Sequence, residues 1–353
     1  MGRLLGFGDA APWFEARCTA NPTYQFNSVG GRYIVLCFFR SAANEIGKVA
    51  LRGFQDASQV FDDFNAAFFG VSNDPADEAQ ARVAQSIPGY RFFWDFDAVV
   101  SQSFGVDEIP QTFLLDPRLR VIARWPIGEN PVEHVSSVLT TLASLPPVEP
   151  SSLAKVQAPV LVVPRLFEPN FCRTLIAYYE DRGGEDSGFM REKEGKTVGV
   201  IDYSHKRRRD QEIDDETIRN MCMHRIHDRL IPEIEKAFQF RATRMERYIV
   251  ACYDASEGGH FRAHRDNTTK GTAHRRFAVS LILNTGEFEG GHLRFPEFGS
   301  QLYSAPAGGA VVFSCSLLHE ATPVTNGRRY VFLPFLYDEP AAKIRQANLK
   351  YLG

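Results

Sequence analysis

HFRAHRDN, residues 260–267, and LLHEATPVTNGRRYVF, residues 317–332, are the two stretches on which the fold and chemistry of the C-terminal half turn. In the first, His264 and Asp266 stand two apart, so on a β-strand both side chains leave the same face. His319 follows fifty-three positions after Asp266, on a separate element. Zinc hydrolases draw ligands from one helix through H-E-x-x-H, and no such string occurs here. Two imidazoles and one carboxylate fill one side of an octahedral ion and leave three positions exchangeable, the donor set that suits Fe(II) in non-haem oxygen chemistry. In a chain with nine histidines an H-x-D pair is weak by itself. Its neighbours give it weight.

Those neighbours run in order: Tyr253, Phe261, His264, Asp266 and Asn267, then Gly290-Gly291-His292-Leu293-Arg294-Phe295, then Pro306-x-x-Gly309, Phe313, His319 and Pro323-Val324-x-x-Gly327-Arg328-Arg329. The run resembles the prolyl 4-hydroxylase-like branch of the Fe(II)/2-oxoglutarate dioxygenases. The resemblance implies a double-stranded β-helix (jelly-roll) with supporting helices, and His264, Asp266 and His319 as the metal ligands at a catalytic centre. It also implies Fe(II), 2-oxoglutarate and O2, with ascorbate as reductant. Arg329, ten residues after the second histidine, is the expected anchor for the distal carboxylate of 2-oxoglutarate, because a guanidinium matches a carboxylate in shape and charge. Arg328 beside it is expected on the opposite face, in solvent. Tyr253 resembles the tyrosine of the co-substrate pocket, although one extra residue separates it from the triad. Many relatives carry tyrosine where Phe261 stands, and Ser280 in FAVSLILN is a candidate hydrogen-bonding contact to the co-substrate.

The implied reaction is oxidative decarboxylation of 2-oxoglutarate coupled to hydroxylation of a substrate C–H bond, with release of succinate and CO2. A prolyl or other residue in a peptide or protein is the favoured target, and a free amino acid or small metabolite is the alternative. A third reading is a non-catalytic redox partner or metal-dependent sensor. The width of the groove above the metal is the feature expected to separate polypeptide from metabolite.

At 353 residues the chain favours two domains of ~150 residues each. A formal charge of −3 gives no global attraction to nucleic acid or to an anionic membrane, and neither is expected as a partner. No apolar run approaches the ~20 residues of a bilayer span. The start, MGRLLGFGDAAPWFEARC, lacks the apolar core of a signal peptide and the Ser or Thr at position six that accompanies myristoylation, so cytoplasmic residence is expected. Six cysteines, at 18, 37, 172, 222, 252 and 315, form no C-x-x-C or C-x-C pair and read as reduced, buried thiols.

SLPPVEPSS, residues 144–152, cannot continue a helix or a central strand. The expected organisation is therefore 1–145, a proline-rich linker 146–156, and the oxygenase-like domain 157–353. After the linker, APVLVVPRLF predicts a strand and PNFCRTLIAYYEDRGG a helix with Pro169 near its start and glycines after its end. Residues 215–238 predict a helix bent or broken by Pro232. His224 and His227, three apart on that helix, have no nearby acid or cysteine to complete a metal set, and read as surface or half-buried packing residues. The tract HKRRRDQEIDD concentrates four cations, Lys206 to Arg209, and reads as a solvated loop; the alternative is a substrate-gripping lid.

The first half carries GDAAPWFEA, YIVLCFF, FFGVSND, VVSQSFGV and IPQTFLLDPRLRVIARW in an alternating strand and helix order that argues an α/β domain. These segments resemble the peroxiredoxin branch of the thioredoxin fold. Pro110 stands where that fold holds a cis-proline. A thiol peroxidase needs a thiolate at the start of the helix after the first core strand, and the chain reads RSAANEIGKV there, without cysteine. The domain is expected to be a non-catalytic scaffold for docking, substrate presentation or homodimerisation.

Overall fold

The computed structural model describes residues 2–19, 21–153 and 156–352. The chain divides into two compact units, one ending at Ser152 and the other starting at Leu153. Of the expected linker, Ala154 and Lys155 lie outside the described residues. No helix is long and apolar enough to cross a membrane among the described residues.

The first unit is built on a seven-stranded sheet. Its strands Tyr33–Arg40, Ala66–Ser72 and Tyr90–Trp94 are parallel, and Gln111–Leu115 and Val121–Pro126 extend it antiparallel. YIVLCFFR is apolar almost throughout because both faces of this strand are covered. Ile34, Leu36 and Phe38 pack into one core, while Val35, Cys37 and Phe39 pack into the other. The helix Glu45–Asp56 starts where Asn44 accepts a hydrogen bond from the Ile46 amide at 2.9 Å. The cis-proline expectation at Pro110 is corrected: among the described residues the cis peptide is Ile87–Pro88. Pro110 runs straight into the antiparallel ladder, its carbonyl accepting from the Ile127 amide at 2.8 Å.

In the second unit a ten-stranded sheet faces a five-stranded one, and helices cover the outer face of the larger. The alternation of side chains sorts the residues. Along Ile249–Asp254, Val250 and Cys252 pack toward the helices while Ile249, Ala251 and Tyr253 face the barrel interior. Along Val324–Phe332, Tyr330 and Phe332 face the helices and Val331 the interior, which puts Arg329 inside as well. The helical stretch after Asp215 runs as Glu216–Arg225, a π-turn Ile226–Leu230, and Ile231–Phe238. Pro232 lacks an amide proton and its ring crowds the carbonyl four residues back, and the wider turn just before it absorbs that conflict.

The tract at 206–209 is not a solvated loop. Lys206–Arg207 pairs with His260–His264, and Arg209–Glu212 pairs with Ile249–Asp254, so the tract is strand and its side chains alternate. Lys206 and Arg208 are buried, while Arg207 and Arg209 are exposed.

Candidate active site

His264 ends the strand His260–His264 and His319 begins His319–Ala321; the two residues are direct partners in the antiparallel pair, which presents both imidazoles to the same space. Asp266 follows two residues later, its amide held by the Cys315 carbonyl at 3.0 Å. The three ligand atoms lie within 4.8 Å of one another. His264 Nε2 is 3.5 Å from Asp266 Oδ1, and His319 Nε2 is 3.4 Å from Asp266 Oδ2. Each Nδ1 donates to a backbone carbonyl, His264 to Arg262 at 2.8 Å and His319 to Leu317 at 3.0 Å. That bond fixes the tautomer and turns a bare Nε2 toward the ion position, as metal-ligating histidines require.

Burial pushes the His319 imidazole down to about 4, so it is neutral and able to bind metal at pH 7. Burial works against the Asp266 carboxylate, but the facing His319 and His264 imidazoles and the Arg275 guanidinium outweigh it and hold its pKa below the usual range. Phe261 stacks on His264 with ring centroids 3.5 Å apart, and Phe313 covers His319 at 4.5 Å. The ring at 261 thus walls the imidazole. Without a hydroxyl it leaves an apolar surface beside the two-histidine, one-carboxylate cluster.

Arg329 comes from the opposite sheet and is 1% exposed. Its strand partner is Tyr253, over whose ring the guanidinium lies at 5.1 Å. Arg329 Nη2 donates to Ser280 Oγ at 3.0 Å, whereas Nε is buried without a hydrogen-bond partner. No carboxylate among the described residues pairs with it. A buried cation left this way is costly, and the cost is explained if a ligand carboxylate completes the group. Gly291, at φ +64°, passes so close that a Cβ there would stand 2.7 Å from Arg329 Cδ. Arg328 points out to solvent and pairs with Asp254 at 2.7 Å.

These groups line one cavity of about 1020 Å³ between the two sheets. The structure brings His264, Asp266, His319, Arg329, Tyr253 and Ser280 to it together. Ser280 touches the guanidinium, so its direct role is to aim Arg329. His224 and His227 are exposed on their helix and join no metal-ligand cluster among the described residues.

Sequence reasoning missed two polar groups in the same cavity. Arg275 donates to Glu246 at 2.8 Å and to the Asp266 carbonyl at 3.4 Å, bracing the loop that carries the carboxylate ligand. Arg208 grips Asp210 with two bonds of 2.6 Å and reaches Tyr253 Oη at 3.4 Å. The period-two spacing of Lys206, Arg208 and Asp210 was a signal for a strand with one charged inward face.

In the first unit, Ala42 and Ala43 occupy the turn before the helix where a reactive thiol would be required. The Ala42 amide donates instead to the buried carboxylate of Asp77 at 2.9 Å. All six cysteines are free and buried, and burial pushes the Cys37 thiol up to about 12.

Residues 248–337 match the family model of the 2OG-Fe(II) oxygenase superfamily, and residues 7–124 match that of the AhpC/TSA family. A PKHD-type hydroxylase of Hyphomonas neptunium is 31% identical over 94 residues, 25% of this chain and 41% of the relative. One from Pseudomonas fluorescens is 38% identical over 90 residues, 23% of this chain and 39% of the relative. The match thus spans about two-fifths of the length of these curated relatives. Among solved structures, a Trichoplax adhaerens prolyl hydroxylase in complex with a hypoxia inducible factor peptide fragment aligns with TM-score 0.40 and 16% identity, over 54% of this chain and 87% of that one. The peroxidoxin BcpB of Mycobacterium tuberculosis aligns with TM-score 0.36 and 21% identity, over 40% of this chain and 99% of that one. By the two family matches, the chain joins a 2OG-Fe(II) oxygenase segment in its C-terminal half to an AhpC/TSA segment in its N-terminal half.

Proposed function

We propose that this chain is an Fe(II)- and 2-oxoglutarate-dependent dioxygenase that hydroxylates a C–H bond in a prolyl or other residue of a peptide or protein, releasing succinate and CO2. The observation that carries the reading is the coexistence, in one cavity, of a two-histidine, one-carboxylate cluster and a fully buried guanidinium with no carboxylate partner among the described residues. His264, Asp266 and His319 would hold Fe(II), and Arg329 would take the distal carboxylate of 2-oxoglutarate. When bound, iron and co-substrate supply the activation of O2 through oxidative decarboxylation.

The chain's own residues orient and protect. The carbonyls of Arg262 and Leu317 lock the two imidazoles, Ser280 and Tyr253 aim Arg329, and Phe261 and Phe313 keep water from the histidine faces. A cavity of about 1020 Å³ is at the top of the usual range for small-ligand sites and has room for a substrate segment beside the co-substrate. The PKHD-type hydroxylase relatives support hydroxylation as the reaction class. Incubation with Fe(II), 2-oxoglutarate and ascorbate as reductant tests the reading through succinate release, which His264→Ala should abolish. Failure of the wild type to release succinate, together with no visible absorption band on anaerobic addition of Fe(II) and 2-oxoglutarate, overturns it.

The organisation that accompanies this reading is 1–145 as a non-catalytic scaffold, 146–156 as linker and 157–353 as the oxygenase domain. Buried, free cysteines support a reducing, cytoplasmic setting. Pairing of two chains through the first unit is read out by sedimentation of the full chain against residues 157–353.

A further inference from the structure

The wall of the cavity beside Phe261 holds three cations and one acid. Lys206 and Arg208, from one strand tract, and Arg247, from a turn about forty residues later, converge on Asp210 and Ser187. Asp210 accepts from Arg208 at 2.6 Å and from Arg247 at 3.2 Å. Ser187 Oγ donates to Asp210, and in turn accepts from Lys206 Nζ at 2.7 Å and Arg208 Nη2 at 3.1 Å. The second partner of Lys206 Nζ is a neutral carbonyl, that of Gly188 at 2.6 Å. The other acids nearby are committed: Glu246 to His274, Arg275 and Arg345, and Asp266 to the histidines.

Such a cluster is out of balance. Lys206 and Arg208 are 4% and 7% exposed, and a single carboxylate cannot neutralise two guanidiniums and still hold Lys206 as an ammonium. Burial, with Arg208 alongside, accordingly pushes the Lys206 ammonium down to about 6. Arg247 reaches its position from a backbone at φ +66°, a left-handed conformation that a non-glycine residue adopts at a cost. Evidently the chain spends backbone strain to bring a further cation to a site already rich in them.

The location gives the excess charge a use. Lys206 Nζ lies 5.0 Å from the centre of the Phe261 ring, which itself stacks on His264, so the cluster borders the metal position rather than a remote surface. It differs from Arg329 in its partners: both guanidiniums reach the Tyr253 ring, Arg329 at 5.1 Å and Arg208 at 5.8 Å, but Arg329 donates to Ser280 and Arg208 to Asp210.

We propose that Lys206, Arg208 and Arg247 form a second anion site in the cavity, which receives a carboxylate of the substrate and thereby sets its position over the metal. This rests on the dioxygenase reading and deepens it: the substrate is anionic next to its target carbon. The carboxylate comes from a free α-carboxyl group or from an Asp or Glu side chain adjoining the target residue. Either supplies the missing negative charge to Arg247 and Lys206, while Arg208 stays engaged with Asp210.

The test holds the protein with Fe(II) and saturating 2-oxoglutarate without oxygen and follows the visible absorption band. The probes are N-acetylproline, N-acetyl-prolyl-glutamate α-amide, which carries its acid on the side chain only, their fully neutral amide counterparts, and inorganic phosphate. At least one carboxylate probe should perturb the band with an affinity ten-fold or more above its neutral twin; which one responds separates the two sources. Arg247→Gln and Lys206→Met should each weaken that probe at least ten-fold and leave the affinity for 2-oxoglutarate unchanged. Neutral twins that bind as well as the acids overturn the proposal. So does a loss of 2-oxoglutarate affinity in both variants, because the cluster would then serve the co-substrate, and so does phosphate binding tighter than every carboxylate. If the wild type gives no band, the dioxygenase reading has failed. Calorimetry of the same probes with the metal-free chain then decides the anion site alone, with the same acid-over-amide criterion.

Discussion

Replacing Arg329 with methionine separates a ligand-binding arginine from a structural one, because the two roles predict different changes in stability. In the folded chain the guanidinium donates to Ser280, lies over the Tyr253 ring, leaves Nε without a partner, and has no acid beside it among the described residues. Methionine removes a buried cation whose desolvation is uncompensated, a change worth ~1–4 kcal/mol in favour of the fold. It also forfeits the Ser280 bond, ~1 kcal/mol, and the contact with the Tyr253 ring, ~1–2 kcal/mol. The balance for Arg329→Met, without ligand, is centred on an unchanged stability and stays within ~2 kcal/mol either way, less than about 8 °C in melting temperature for a unit of this size. Affinity for 2-oxoglutarate should fall. A buried carboxylate that loses its guanidinium forfeits ~3–5 kcal/mol, a drop of roughly 10²–10³-fold or more. Differential scanning fluorimetry with and without 2-oxoglutarate reads both at once, since ligand raises the melting temperature of the wild type by mass action and should not raise that of the variant. A variant that melts well below the wild type yet keeps its 2-oxoglutarate shift refutes the reasoning.

Gly291→Ala puts a Cβ 2.7 Å from Arg329 Cδ at a left-handed backbone position costing ~1–2 kcal/mol, so it should weaken 2-oxoglutarate binding with little loss of iron; equal losses of both would contradict that role. Burial opposes ionisation of Glu246, but the His274 hydrogen bond and the Arg275 charge win and bring it down to about 2. A carboxyl group depressed from its ordinary 4.5 contributes stability above that value and loses it as pH falls toward 2. Glu246→Gln should therefore flatten the acid limb of urea denaturation between pH 5 and 2 by roughly 3 kcal/mol, and an unchanged slope is evidence against it. Peroxide consumption by the full chain should stay at background and be indifferent to Cys37→Ser; a rate that disappears with that thiol would restore a redox role to the first unit.

Much of the site was legible because its chemistry is local and patterned. His264 and Asp266 are two apart, Arg329 follows His319 by ten, and the alternation along Val324–Phe332 puts Arg329 in and Arg328 out, as its sequence neighbours suggest. The inner wall was harder to read. Four consecutive cations look like a solvated loop when composition alone is weighed, and only the pairing of Lys206 with Phe261 and of Arg209 with Cys252 turns alternate members inward. Such pairing joins residues about fifty positions apart, which no window of sequence contains. Arg247 and Arg275 were invisible for the same reason, since their partners Asp210 and Glu246 are brought to them by the barrel. In the first unit, the resemblance places a cis-proline at Pro110, but an isomer is set by local packing rather than by place in a fold, and the cis bond stands at Pro88 instead.

The most direct measurement is an anaerobic titration of the purified chain with Fe(II) and 2-oxoglutarate, followed by visible absorption, beside Asp266→Ala and Arg329→Met. A charge-transfer band that saturates at one iron and one 2-oxoglutarate per chain, is missing in Asp266→Ala and needs far more 2-oxoglutarate in Arg329→Met is the expected result. No band in the wild type, or a band of equal strength and affinity in Asp266→Ala, contradicts a triad that holds iron.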